Sequence, residues 1–213
     1  RLEYKDENEF IGNLLAEISL IKNSRIDIEN FYSGVCGEEI FRDIYKKYET
    51  RLKENRLIDF DDMLSYTYEL FKERSDILAL WQNKYKYILI DEFQDINRLQ
   101  YEIIKMLAAP QNNLFIVGDD DQSIYRFRGS KPEIMLGFEK DYPNAKRILL
   151  DTNYRCGRYI VEASLNLISH NRERFDKKII AAIKSKAPVT FADFENRRDE
   201  NIFLIRDIDK KIK

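Results

Sequence analysis

The chain has 213 residues, of which 44% are hydrophobic and 35% charged, with a formal net charge of −2. This composition suits one or two globular domains and excludes a disordered chain; any nucleic-acid surface must be a local groove rather than a whole basic face. No apolar stretch approaches the ~20 residues that span a bilayer, and no signal-peptide pattern is present, so no membrane partner is expected. One histidine, His170, and two isolated cysteines, Cys36 and Cys156, rule out a clustered His/Cys zinc site. Free thiols in a reducing, cytoplasmic setting are the expectation.

The predicted elements begin with a helix over 6–22, where Phe10, Ile11, Leu14, Leu15, Ile18 and Ile21 recur at three- and four-residue spacing. Residues 23–37 read as irregular, broken by Gly34 and Gly37. A second helix follows over 38–55. Asp59, with Asp62 three residues on, predicts the N-cap of a third helix. A short helix over 75–82 completes a mostly helical first stretch. From Tyr87 the pattern becomes alternating: strand 87–90, helix 97–108, strand 114–117, helix 132–138, strand 147–150, helix 159–170, strand 189–194 and helix 201–212. Strands alternating with helices of this length predict an α/β fold around a parallel sheet. The missing initiator methionine, and a helical pattern broken off at Lys213, lead us to expect a piece of a larger protein.

Three polar blocks sit where apolar runs stop. Tyr87-Ile-Leu-Ile90 gives way to Asp91-Glu92, and Leu114-Phe-Ile-Val117 gives way to Gly118-Asp119. In parallel sheets ligands bind beyond the carboxyl ends of strands, so both clusters are expected on one edge. A carboxylate pair at a strand end can hold Mg²⁺ through one member and orient a water with the other; alone, it reads more often as a solvated turn. In Gly118–Gly129, Gln122 suits the sensing of a terminal phosphate or its attacking water. Tyr125-Arg126-Phe127-Arg128 alternates rings with guanidiniums, a mixture that suits single-stranded nucleic acid; alone, it reads somewhat more often as a core aromatic pair on a loop. Asn153-Tyr154-Arg155 is weak by itself.

Together, Asp91-Glu-Phe-Gln-Asp95, Gly118–Gly129 and Thr152-Asn-Tyr-Arg155 resemble motifs II, III and IV of superfamily 1 DNA helicases of the UvrD/PcrA/Rep type. Leu57–Asp62 is similar to the segment before motif II. The resemblance covers nearly the whole chain. It implies an incomplete RecA-like (P-loop NTPase) core with an N-terminal, mostly helical subdomain, and a parent enzyme that uses ATP and Mg²⁺ to move on single-stranded DNA and open duplex DNA. By the resemblance, Asp91 and Glu92 are metal residues, with Glu92 also polarising the attacking water. Gln122 reads the γ-phosphate, Tyr154 stacks near adenine and Arg155 is the arginine finger. Tyr125, Arg126, Phe127 and Arg128 face the single strand; the family commonly carries tryptophan where Phe127 stands. Residues 1–54 correspond to a helical insertion, 55–153 to the later half of the first motor domain, and 154–213 to the start of the second.

A phosphate-binding P-loop needs Gly-Lys followed by Ser or Thr. None of the seven glycines here is followed by lysine. The isolated chain is therefore expected to be inactive. Two other readings fit the same residues: the motor part of an AddA/RecB-type helicase–nuclease, which carries a similar Arg-Phe-Arg run, and a non-catalytic module that binds DNA or a partner.

Overall fold

The computed structural model describes residues 7–125, 129–184 and 188–212. The chain divides into two units, Arg1–Ala145 and Lys146–Lys213.

The first unit opens with α1 (Glu7–Ser24), α2 (Glu38–Glu54), α3 (Phe60–Glu73) and α4 (Ser75–Lys84). Leu14, Ile18 and Ile21 of α1 bury against Phe41 of α2, as the 3.6-residue period dictates. The predicted cap of α3 is a full capping box: Asp59 Oδ1 accepts from the Asp62 N–H at 2.7 Å, and Asp62 Oδ2 accepts from the Asp59 N–H at 3.2 Å. Between 24 and 38 the chain is irregular apart from a single 3₁₀ turn, Ile28–Asn30.

Where α1 ends it meets the N-termini of other helices through polar groups. The buried Lys22 Nζ lies 2.8 Å from Glu49, 2.7 Å from Asp59 and 2.8 Å from Asp62. The Glu49 approach is an ion pair without hydrogen-bond alignment, whereas the two aspartates accept proper hydrogen bonds. Burial opposes the charge on Lys22, but the three carboxylates outweigh it and raise its pKa. Burial likewise opposes charge on Asp59; the Lys22 ammonium, the Asp62 N–H and the Tyr48 hydroxyl overcome it and lower the carboxyl pKa. Burial and the hydrogen bond to Asp59 push Tyr48 up to about 12. The neighbouring Asn23 donates to Asp61 at 2.7 Å and accepts from Asn97, the N-cap of the next helix, at 2.9 Å.

Next come β1 (Ile88–Ile90), α5 (Arg98–Ala108) and β2 (Leu114–Ile116), with β1 and β2 paired in parallel, Ile88 opposite Leu114 and Ile90 opposite Ile116. Asn97 and Gln100 form a second capping box at the start of α5. Period-2 alternation splits the small sheet. Ile90 and Ile116 pack onto Phe93, Ile96 and Tyr101. Leu89 and Phe115 point the other way and stay 71% and 58% exposed. The helix predicted over 132–138 is two short pieces, α6 (Pro132–Leu136) and α7 (Phe138–Asp141), because Gly137 ends the first.

In the second unit, β3 (Thr152–Gly157) leads into α8 (Arg158–Ile168) and pairs in parallel with β4 (Ile180–Ile183); α9 (Arg197–Ile212) follows. Two predicted strands are corrected. Residues 147–150 are not a strand: Ile148 and Leu150 are about four-fifths exposed, and β4 pairs with the polar segment just after them instead. Residues 189–194 are not a strand either, since 180–183 takes that place. Among the described residues of this unit only Val161 is buried. The described residues are thus a mixed helix–strand arrangement with small parallel sheets. None of their helices is long and apolar enough to cross a membrane.

Candidate functional site

Parallel pairing of β1 with β2 brings the first two polar blocks to one edge. The chain leaves β1 with the Val117 N–H donating to the Ile90 carbonyl and the Phe93 N–H donating to the Val117 carbonyl, at 2.8 and 2.9 Å. Asp91 and Glu92 lie between these rungs, both exposed. Glu92 sits in the left-handed region, φ 50° and ψ 41°, a conformation that costs a non-glycine residue about 1–2 kcal/mol. The sharp turn follows: Phe93 drops into the core, fully buried between Tyr101 and Phe138, and anchors the acidic pair above it.

Asp91 Oδ1 accepts from the Glu92 N–H at 2.9 Å, which orients its carboxylate. Gln94 is only 1% exposed. Its Nε2 donates to Glu92 Oε2 at 2.8 Å, and its Oε1 accepts from the Asp119 N–H at 3.0 Å. The amide can face only one way, because a carboxylate must accept and an N–H must donate. Gly118 leaves room for it: a Cβ there would lie 2.6 Å from Gln94 Oε1 and 3.1 Å from the Phe93 nitrogen. Asp119 in turn holds Gln122, whose Nε2 donates to Asp119 Oδ2 at 2.7 Å and whose N–H donates to the Asp119 carbonyl at 2.9 Å. Burial, then the charge of Glu92, raises the pKa of Asp95 against a weaker pull from Gln94. The carboxylates of Asp119, Asp120 and Asp121 lie within 4.8 Å of one another.

Asp91, Glu92 and Gln122 are therefore assembled at one strand edge. Mg²⁺ prefers hard oxygens and is commonly held by one or two carboxylates plus substrate phosphates; the exposed Asp91 carboxylate, oriented from behind, fits that need. Tyr125 lies just beyond Gln122 and is 38% exposed. Arg126, Phe127 and Arg128 lie outside the described residues. Tyr154 and Arg155 belong to the second unit. They ride on an irregularity in β3, where the register with β4 slips between Asn153 and Gly157. Asn153 Oδ1 accepts from the Arg155 and Cys156 N–H groups at 2.9 and 2.8 Å, and Tyr154 is 77% exposed. Gln94, to which the residue pattern alone gives little weight, is the member that sequence reasoning missed.

A family model, the UvrD/REP helicase N-terminal domain, matches residues 3–143. The chain belongs to that family. UvrD/REP-type relatives align along nearly all of it. A putative ATP-dependent DNA helicase YjcD of Bacillus subtilis is 44% identical over 97% of the chain and 27% of the relative. An ATP-dependent DNA helicase PcrA of Staphylococcus epidermidis is 36% identical over 94% of the chain and 27% of the relative. A probable DNA helicase II homolog of Mycoplasma capricolum is 38% identical over 100% of the chain and 30% of the relative. The chain thus spans 27–30% of the length of these relatives.

Proposed function

We propose that this chain is part of an ATP-driven DNA motor that translocates on single-stranded DNA and unwinds duplex DNA. The observation that carries the reading is the strand edge at which Asp91, Glu92 and Gln122 meet, joined through Gln94 and Asp119. Family membership and the names of the relatives support ATP as the fuel and DNA as the track. The parallel β1–β2 pair with its α5 crossover is consistent with a RecA-like core, with 1–54 as a helical insertion, 55–153 as the later half of the first motor domain and 154–213 as the start of the second.

Asp91 would hold Mg²⁺, which supplies charge neutralisation to the phosphates when bound. Glu92, its Oε2 fixed by Gln94, presents Oε1 to orient and deprotonate a water. Gln122 would read the terminal phosphate, and a change in its hydrogen bond with Asp119 would pass to the neighbouring Tyr125-Arg126-Phe127-Arg128 segment on the DNA. Tyr154 offers an exposed ring for adenine, and Arg155 a guanidinium for developing phosphoryl charge. No Gly-Lys pair exists in these 213 residues, so the chain alone lacks the lysine and hydroxyl that cradle phosphates and is inactive in isolation.

The test is phosphate release with and without single-stranded DNA. The isolated chain should show none above background, and turnover near one per second, at the slow end of working enzymes, refutes the reading. In a polypeptide that joins these residues to a phosphate loop, Glu92→Gln should abolish hydrolysis while sparing ATP binding. Arg155→Ala should slow turnover by ~10³-fold or more.

A further inference from the structure

We propose that Gln94 is a positioning residue that sets the Glu92 carboxylate and the Asp119–Gln122 block in fixed register, so that a change at either is felt at the other. The inference rests on the reading of Glu92 as the water-orienting base and goes beyond it, because it concerns what holds Glu92 and the Asp119–Gln122 block and not the base itself.

Three observations converge on this residue. Gln94 is an amide 1% exposed, lodged beside the fully buried Phe93. An uncharged polar side chain is placed there at a cost unless its hydrogen bonds are made. They are made to groups 27 residues apart in sequence, Glu92 Oε2 and the Asp119 N–H. The same residue holds the block a second time through its main chain, since its carbonyl accepts from the Ser123 hydroxyl at 3.3 Å.

Geometry gives the link a direction of action. Glu92 occupies a strained backbone conformation on an exposed turn. The Gln94 donor removes the remaining freedom of its carboxylate by holding one oxygen. The acceptor end of the same amide holds Asp119, and Asp119 Oδ2 holds the Gln122 carboxamide. If Gln122 is drawn towards a phosphate, Asp119 is released on one side. The planar amide of Gln94 transmits any shift of the Asp119 N–H directly to the oxygen pair of Glu92. Two hydrogen bonds from one rigid planar group cannot be adjusted independently.

Two measurements test the proposal. In the chain as it stands, the Asp119 amide proton is followed by ¹⁵N–¹H NMR. Glu92→Gln should shift it, and the shift should vanish when Gln94→Met is also present. An equal shift in the Gln94→Met background, or none in the Gln94 background, overturns the link. The second measurement uses a polypeptide in which these residues follow a phosphate loop. Gln94→Met keeps the side-chain length and removes both bonds, together with the long one from Nε2 to Asp95 Oδ2 at 3.4 Å. It should lower kcat tenfold or more, with KM for ATP and the single-strand Kd within twofold. If that variant does not fold, Gln94→Leu decides: it also fills the site with an apolar side chain that can make neither bond, and should show the same kcat loss. A normal kcat with either folded variant overturns the proposal while leaving Glu92 as the base. Turnover that survives Glu92→Gln overturns the underlying reading instead.

Discussion

Lys22 offers a quantitative test of how the first unit is held together. Replacing it by Met keeps the aliphatic stem and removes the ammonium from among three carboxylates at 2.7–2.8 Å. Breaking a buried ion pair by removing one partner typically costs 3–5 kcal/mol, because the other charge stays buried. Here the lower end applies. Asp62 is almost fully enclosed, but Glu49 and Asp59 are about a fifth exposed, and Asp59 keeps the Tyr48 hydroxyl and the Asp62 N–H. The expected loss is therefore about 3 kcal/mol, or about 6–12 °C in melting temperature for a unit of this size. Urea unfolding and thermal melts read it directly.

A pH series separates electrostatics from lost packing. The raised pKa of Lys22 means that its contribution is fully present below the unfolded lysine value, about 10.4, and is lost only as pH rises through the folded one. The lowered pKa of Asp59 means that its contribution is present above the unfolded value, about 3.9, and fades as pH falls through the folded one. The gap between wild type and Lys22→Met should thus hold from pH 6 to 9 and narrow below pH 4, as the Asp59 contribution fades. A variant that melts within a degree of wild type, or a gap that does not change with pH, refutes this account.

Other perturbations follow from the same geometry. Asn97→Ala removes a capping box and the bond to Asn23, and should cost about 1–2 kcal/mol by urea titration. Phe115→Ser on the exposed sheet face should reduce binding of a hydrophobic dye while leaving the melting temperature within about 1 °C, the range of surface changes. In the phosphate-loop-bearing polypeptide, Phe127→Ala should weaken single-strand affinity roughly five- to a hundredfold, the loss of about 1–3 kcal/mol of base stacking. The salt slope should stay unchanged, because it counts phosphate contacts; a flattened slope with normal affinity would exclude stacking.

Much of the first unit is legible because its signals are local. Asp59 and Asp62 mark a helix start within four residues, and the apolar face of α1 declares itself by period alone. Ile88–Ile90 and Leu114–Ile116 are readable as apolar runs of strand length. The second unit defeats that approach. Ile148-Leu149-Leu150 has strand composition, yet strand pairing is a property of two segments, and β4 finds Thr152–Gly157 instead. The same limit hides Gln94 and Lys22. Neither residue is unusual in its own neighbourhood; each matters through at least one partner 25 or more residues away.

Gly118 carries a consequence for how this sequence can vary. The space its missing Cβ leaves is closed by the Gln94 amide oxygen at 2.6 Å and by the Phe93 and Gln94 main-chain nitrogens at 3.1 and 3.2 Å. Enlarging 118 first forces the amide off both hydrogen bonds before any compensation is available. Shrinking 94 forfeits the bonds and relieves only the contact with the amide; a Cβ at 118 still meets the Phe93 and Gln94 main-chain nitrogens at 3.1 and 3.2 Å. Glycine at 118 is thus demanded twice, once by a side chain and once by the backbone, and changing residue 94 lifts only the first demand.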